Sequence, residues 1–204
     1  MPKTRLWWVI LPYLAVLFGI MSLRNAWGAL IGFHLSLLPA LIKYGRNITP
    51  RFLAPVSMKI ILPAALTGLA AGLGLWFLWP YSVGQAGFAV RLSALGLSGK
   101  VWPPFIIYFT LVNPILEELY WRMILTSASP YPVAVDFLFA GYHLLILNLF
   151  VSVGWLVLAF VVLGAASWFW RQISRYTNSL LPAVLSHMLA DFSILLVIYR
   201  LVNY

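Results

Sequence analysis

Read by its alternation of apolar and polar positions, the chain divides into seven apolar runs separated by polar breaks, the longest Pro80–Lys100. They cover Leu6–Leu23, Ala26–Ile42, Ile60–Trp79, Val101–Leu125, Ala134–Phe150, Val153–Trp170 and Leu180–Val202. Each is near the ~20 residues with which an α-helix crosses the hydrocarbon layer of a bilayer. The pattern predicts an all-α fold, a polytopic transmembrane helical bundle of about seven spans. Six or eight spans also fit, because the fifth and sixth runs nearly fuse and Asn148 to Gly154 must hold a tight turn or a re-entrant bend. The first run follows Lys3 and Arg5 as a signal peptide would. Its apolar core exceeds the roughly 7–15 residues of such a signal, so it reads as a retained span. Without a repeat, a low-complexity tract or a polar segment of domain size, residues 1–204 read as one membrane domain.

Composition agrees with lipid as the solvent. Hydrophobic residues make up 63% of the chain and charged ones 8%, with a mean hydropathy of +0.97. A soluble domain carries about a quarter charged residues. The absence of cysteine excludes disulfides, thiolate metal sites and a cysteine nucleophile. The net charge of +9 comes from Lys and Arg scattered singly between apolar runs, a loop-charge pattern that predicts no nucleic-acid partner. Lys3, Arg5, Lys43, Arg46, Arg51, Lys59, Arg171 and Arg175 fall on one side of the alternating spans, against Arg24, Arg91 and Lys100 on the other. The positive-inside rule then places the N-terminus in the cytoplasm. Gly68 and Gly72 share a face of the third run, which suits close helix packing, although glycines are common in membrane helices anyway. The triplet Asn47-Ile48-Thr49 falls in a predicted cytoplasmic loop and is not read as a glycosylation site.

The chain has four acidic residues and three histidines, and Glu117, Glu118, His143, His187 and Asp191 all lie inside apolar runs of its C-terminal half. An ionisable group in hydrocarbon costs roughly 2.5–3.5 kcal/mol or more, so such groups face the protein interior and mark function. Glu118 and Arg122 are four apart, with the acid first, the favourable order for an ion pair. Glu117 is turned by about 100° from Glu118, so one carboxylate is bound to Arg122 and the other is left free. His187 and Asp191 are also four apart, which lets Asp191 accept an imidazole N–H and fix the tautomer. Phe139 shares a face with His143 and would wall the pocket. Counted from one end of their spans, Glu117, His143 and His187 lie roughly 10–14 Å deep in the same leaflet. Three unrelated polar residues would scatter in depth; these can converge. His34 reads as an interior or interfacial histidine, and Asp136, after Pro132, as an acid complementing a helix start.

Glu117-Glu118-Leu-Tyr-Trp-Arg122 resembles the EExxxR motif of the CaaX protease and bacteriocin-processing family of intramembrane endopeptidases. Phe139-Ala-Gly-Tyr-His143 is similar to that family's FxxxH motif, and His187-Met-Leu-Ala-Asp191 to its HxxxN/D motif. They stand in order on three runs, within about residues 101–204, and Pro114 precedes Glu117 by three residues as is frequent in the family. The resemblance implies a glutamate-type intramembrane endopeptidase without a cofactor. In it Glu117 with His143 would activate a water molecule, and His187 with Asp191 would stabilise the oxyanion. A carboxylate so placed can take a proton from water and pass it to the leaving amine. An ionised Asp191, where other members carry Asn, cannot donate to an oxyanion, so here it is expected to orient His187.

Other chemistries fit less well. There is no HExxH helix and no GxGD-like aspartate pair, and Ser186 diverges from His187 by about 100°. A divalent metal held by Glu117, His143, His187 and Asp191 is the mechanistic alternative, since His and carboxylate make ordinary transition-metal sites. A non-catalytic membrane protein or proton-coupled transporter is the alternative of another class, because buried Glu and His also serve as proton relays. For the protease, the expected partners are the lipid bilayer and a membrane-anchored protein or peptide, carrying a prenylated tail, a bacteriocin leader or a C-terminal sorting anchor. The expected location is a prokaryotic inner membrane.

Overall fold

The computed structural model describes residues 7–45, 54–82 and 87–203. Lys3, Arg5, Arg46, Arg51 and the Asn47–Thr49 triplet lie outside the described residues. Eight α-helices follow one another there: α1 (Ile10–Leu17), α2 (Ala26–Tyr44), α3 (Met58–Ser82), α4 (Phe88–Ala94), α5 (Trp102–Glu118), α6 (Ala134–Leu147), α7 (Val153–Thr177) and α8 (Leu181–Asn203). Helices α1 and α5 each run on into a wide turn, Phe18–Ser22 and Leu119–Ile124, closed by bonds five residues back such as Leu125 N–H to Tyr120 O.

Each of the seven apolar runs is thus a helix. Helices α2, α3, α7 and α8 are long and apolar enough to cross a membrane, and Phe88–Ala94 with Gly99–Ile124, bent by 75°, makes a fifth candidate. Ile10–Ser22 and Ala134–Leu147 are shorter apolar helices. Leu62, Leu66, Leu73 and Phe77 of α3, with Val157 and Val161 of α7, are exposed, whereas Glu117, Glu118, Arg122 and His187 are buried. Apolar residues outside and charges inside are the distribution lipid demands, and the protein is an integral membrane protein.

Two expectations are revised. Residues 80–100, outside every apolar run, contain α4, which Phe88 and Leu92 anchor in a cluster with Trp79 and Trp102. Arg171 is not a loop charge: α7 continues to Thr177 and buries its guanidinium. Arg171 pairs with Asp136 at 2.7 Å and donates to the carbonyls of Ser127, Ser129 and Tyr131, which ties the α5–α6 connection to α7. Asp136 also caps α6 by accepting the Val133 N–H, so it does more than complement a helix start.

The Asn148–Gly154 break is a tight turn, with Asn148 N–H bonded to Leu144 O and Val151 N–H to Leu147 O. Gly68 and Gly72 both face α8, where an added Cβ would collide with the backbone of Ser186 and of Ser193. The close-packing reading of these glycines is therefore correct. Helix ends sort as an alternating bundle requires. Ala26 N–H bonds Leu95 O and Arg91 donates to Leu149 O at one end. Ser179 Oγ bonds Ala54 O, and Arg175 bonds Ser129 O, at the other.

Candidate active site

Pro114 offers no N–H to its own helix, and one turn later α5 presents Glu117 and Glu118 to the bundle interior before widening at Leu119–Ile124. Wide turns of this kind are frequent at functional sites. Glu118 is fully buried, with Oε2 3.2 Å from Arg122 Nε and Oε1 3.0 Å from His187 Nδ1. Arg122 in turn stacks its guanidinium over the Phe139 ring at 4.6 Å and over Trp170 at 5.6 Å. Glu117 is held differently. The Tyr142 hydroxyl donates to its Oε1, and its Oε2 lies 3.5 Å from His187 Nε2 without a hydrogen bond to another described residue.

Helix α6 supplies His143. Its Nδ1 is 2.9 Å from the Phe139 carbonyl, which only accepts, so Nδ1 carries the proton and Nε2 of the neutral ring is left as an acceptor. That Nε2 lies 3.1 Å from the Tyr142 hydroxyl, which therefore stands between Glu117 and His143. Phe139 packs at 4.8 Å from the His143 ring and 5.9 Å from the His187 ring, at the junction of the three motifs.

Helix α8 supplies His187 and Asp191. The expected bond between them is not the main one: His187 Nε2 is 3.6 Å from Asp191 Oδ1, and it is Glu118 that meets the imidazole at hydrogen-bonding distance. The i, i+4 spacing brings the two groups alongside, but α5 crosses closely enough for Glu118 to reach the ring first. His34 is likewise no isolated histidine, for its Nε2 lies 3.1 Å from Asn113 Oδ1, and Asn113 Nδ2 donates to Asp191 Oδ2 at 3.2 Å.

The structure thus brings Glu117, Glu118, Arg122, Phe139, His187 and Asp191 into one buried cluster, and joins His143 to it through Tyr142. Tyr142, Trp170 and Asn113 were not among the residues singled out by sequence. Asn113 carried a signal, since it precedes Glu117 by four residues on the same helical face. Among the described residues, no set of three or more His, Asp or Glu side chains is arranged to hold a metal ion. A cavity of about 760 Å³ adjoins the cluster at Arg122 and is lined also by Ser127, Arg171, Gln172 and Arg175.

Comparison with known families places this arrangement. Residues 98–193 match the family described as Type II CAAX prenyl endopeptidase Rce1-like. That segment contains all three motifs, and its match to an Rce1-like model agrees with the CaaX protease resemblance read from them. No curated protein and no solved structure matches the chain.

Proposed function

We propose that the protein hydrolyses a peptide bond in a membrane-anchored protein, a prenylated C-terminal tail being the class its family favours, with a water molecule activated by Glu117. The observation that carries this reading is the unequal treatment of the two adjacent carboxylates. Each keeps one oxygen without a hydrogen bond to a described residue, but Glu118 Oε2 lies 3.2 Å from the permanently charged Arg122 guanidinium, whereas Glu117 Oε2 faces His187 Nε2 at 3.5 Å and no fixed cation. Glu117 Oε2 takes a proton from water as the water oxygen adds to the scissile carbonyl, and His143 Nε2 accepts the other hydrogen of the same water. His187 donates to the oxyanion that forms, the role in which a placed donor contributes most. The proton then passes from Glu117 to the amide nitrogen, the C–N bond breaks, and a carboxylate and an amine leave.

Glu117→Gln and His143→Ala proteins, purified in detergent and offered membrane-anchored and prenylated peptides, should fall to background turnover while eluting as wild type does. Residues acting as one unit fail together. Substantial cleavage by Glu117→Gln would sink the general-base assignment.

A further inference from the structure

His34 is buried in the middle of α2, and its ring links two side chains of α5. Nε2 lies 3.1 Å from Asn113 Oδ1, and Nδ1 lies 3.1 Å from the Tyr108 hydroxyl. Asn113, itself buried, turns its amide nitrogen to Asp191 Oδ2 at 3.2 Å. Donor and acceptor chemistry gives this chain one direction. A carboxylate only accepts, so Asn113 meets Asp191 with Nδ2–H and points Oδ1 the other way. Oδ1 only accepts, so His34 donates from Nε2. The neutral imidazole then accepts at Nδ1 from Tyr108. Hydrogen bonds in series polarise one another, and the last acceptor here is Asp191, whose other oxygen faces His187 Nε2 at 3.6 Å.

We infer that Asn113 and His34 are positioning residues: together with Tyr108 they form a one-way donor chain that holds Asp191 as a carboxylate alongside His187. The catalytic part of this inference rests on the hydrolytic reading above; the hydrogen-bond chain itself does not. Asp191 accepts from Asn113 on Oδ2 and sets Oδ1 3.6 Å from His187 Nε2, a charge beside the ring that leaves its Nε2–H free for the oxyanion. The chain also explains why α2, outside the segment that matches the family, carries a buried histidine.

Two measurements test it. Histidine ¹⁵N spectra of the full-length protein in detergent should show His34, assigned by its loss in His34→Gln, as a neutral ring with the proton on Nε2. A proton on Nδ1, or on both nitrogens, overturns the chain's direction. In steady-state cleavage, Asn113→Leu should lower kcat about tenfold or more with KM unchanged, because a hydrogen bond to a charged group is lost. His34→Leu should fall similarly, and His34→Gln, which keeps a donor toward Asn113, should retain most activity. The double Leu variant should be no slower than Asn113→Leu, since the two residues act in series; losses that multiply, or a wild-type kcat in Asn113→Leu, overturn the proposal. If Asn113→Leu does not fold, the paired His34 variants and the tautomer decide. A wild-type protein that cleaves nothing defeats the hydrolytic reading and leaves the tautomer measurement standing.

Discussion

The imidazole of His187 lies flat against the indole of Trp170, with ring centres 4.1 Å apart and planes 18° from parallel. Trp170 Nε1 donates to Ser186 Oγ at 3.0 Å, so the indole is pinned to the same turn of α8 that carries the histidine. Phe139 meets the ring edge-on at 75°, and Glu118 binds Nδ1. Plane and direction are both set before substrate arrives, which is how a site avoids ordering its groups at the moment of reaction.

Trp170→Ala should therefore lower kcat by roughly tenfold, the scale of an aromatic stack. Trp170→Phe, which keeps the stack and loses the Ser186 bond, should cost only a few-fold. Cleavage rates of both variants on a membrane-anchored peptide, beside their melting temperatures, check this. Unchanged kcat in Trp170→Ala would remove the indole from the site.

Much of this arrangement was legible because lipid makes charge informative. Glu118 with Arg122 could be paired from helical spacing, and Glu117, His143 and His187 from their common depth, since an acid or histidine in an apolar run stands out. Trp170 and Tyr142 did not stand out: the chain has ten residues of each type, and spacing cannot separate an aromatic that packs from one that orients a buried histidine. The His187–Asp191 bond was misread for a related reason. Spacing reports partners on one helix, while the ring's nearest carboxylate came from a crossing helix, and crossings depend on contacts such as Gly68 and Gly72 against α8. Arg171 was misplaced because a lone arginine after an apolar run looks like loop charge until its buried partner, Asp136, is found across the α6–α7 packing.

Tyr142 yields a sharper prediction. Its ring stacks on Phe33 at 4.9 Å and lies parallel to Trp121 at 6.0 Å, contacts that phenylalanine preserves. Tyr142→Phe should thus fold normally while losing the hydroxyl that joins Glu117 to His143. One charge-assisted hydrogen bond is worth roughly 1.5–3 kcal/mol, so kcat should fall about 10- to 100-fold with KM little changed. A fall in folded yield without a fall in kcat would make Tyr142 a packing residue only.

Metal dependence is open to direct measurement. Each carboxylate near His187 already has a side-chain neighbour, with Glu117 on Tyr142, Glu118 on Arg122 and Asp191 on Asn113. We expect exhaustive chelation to leave cleavage unchanged and elemental analysis to find no stoichiometric ion. One zinc or other divalent ion per chain, with activity lost on removal and restored on return, would assign Glu117, His143, His187 and Asp191 to the metal instead.

For the side of the membrane from which substrate enters, the cavity at Arg122 gives the expectation. It opens among Ser127, Arg175 and Tyr176, at the same end of the bundle as Lys43 and Lys59, and its lining includes Arg122, Arg171 and Arg175 and no acidic residue. The other end holds Arg24, Arg91 and Lys100. From the positive-inside rule we expect the cavity to face the cytoplasm and to receive a lipid-anchored tail from that side with its terminal carboxylate. A scissile bond there must be extended, because backbone inside a helix is already hydrogen-bonded. The chain has no cysteine, so single cysteines report cleanly. Tyr176, which is 82% exposed, and Ser98 in the loop before α5 are suitable sites. An impermeant maleimide should label Tyr176→Cys only from the cytoplasm and Ser98→Cys only from the opposite face, and sequenced product ends should lie at the cytoplasmic end of the substrate. The reverse labelling would invert the bundle and put the site in the outer leaflet, turning the substrate class from cytoplasmic prenylated tails to anchors cut after export.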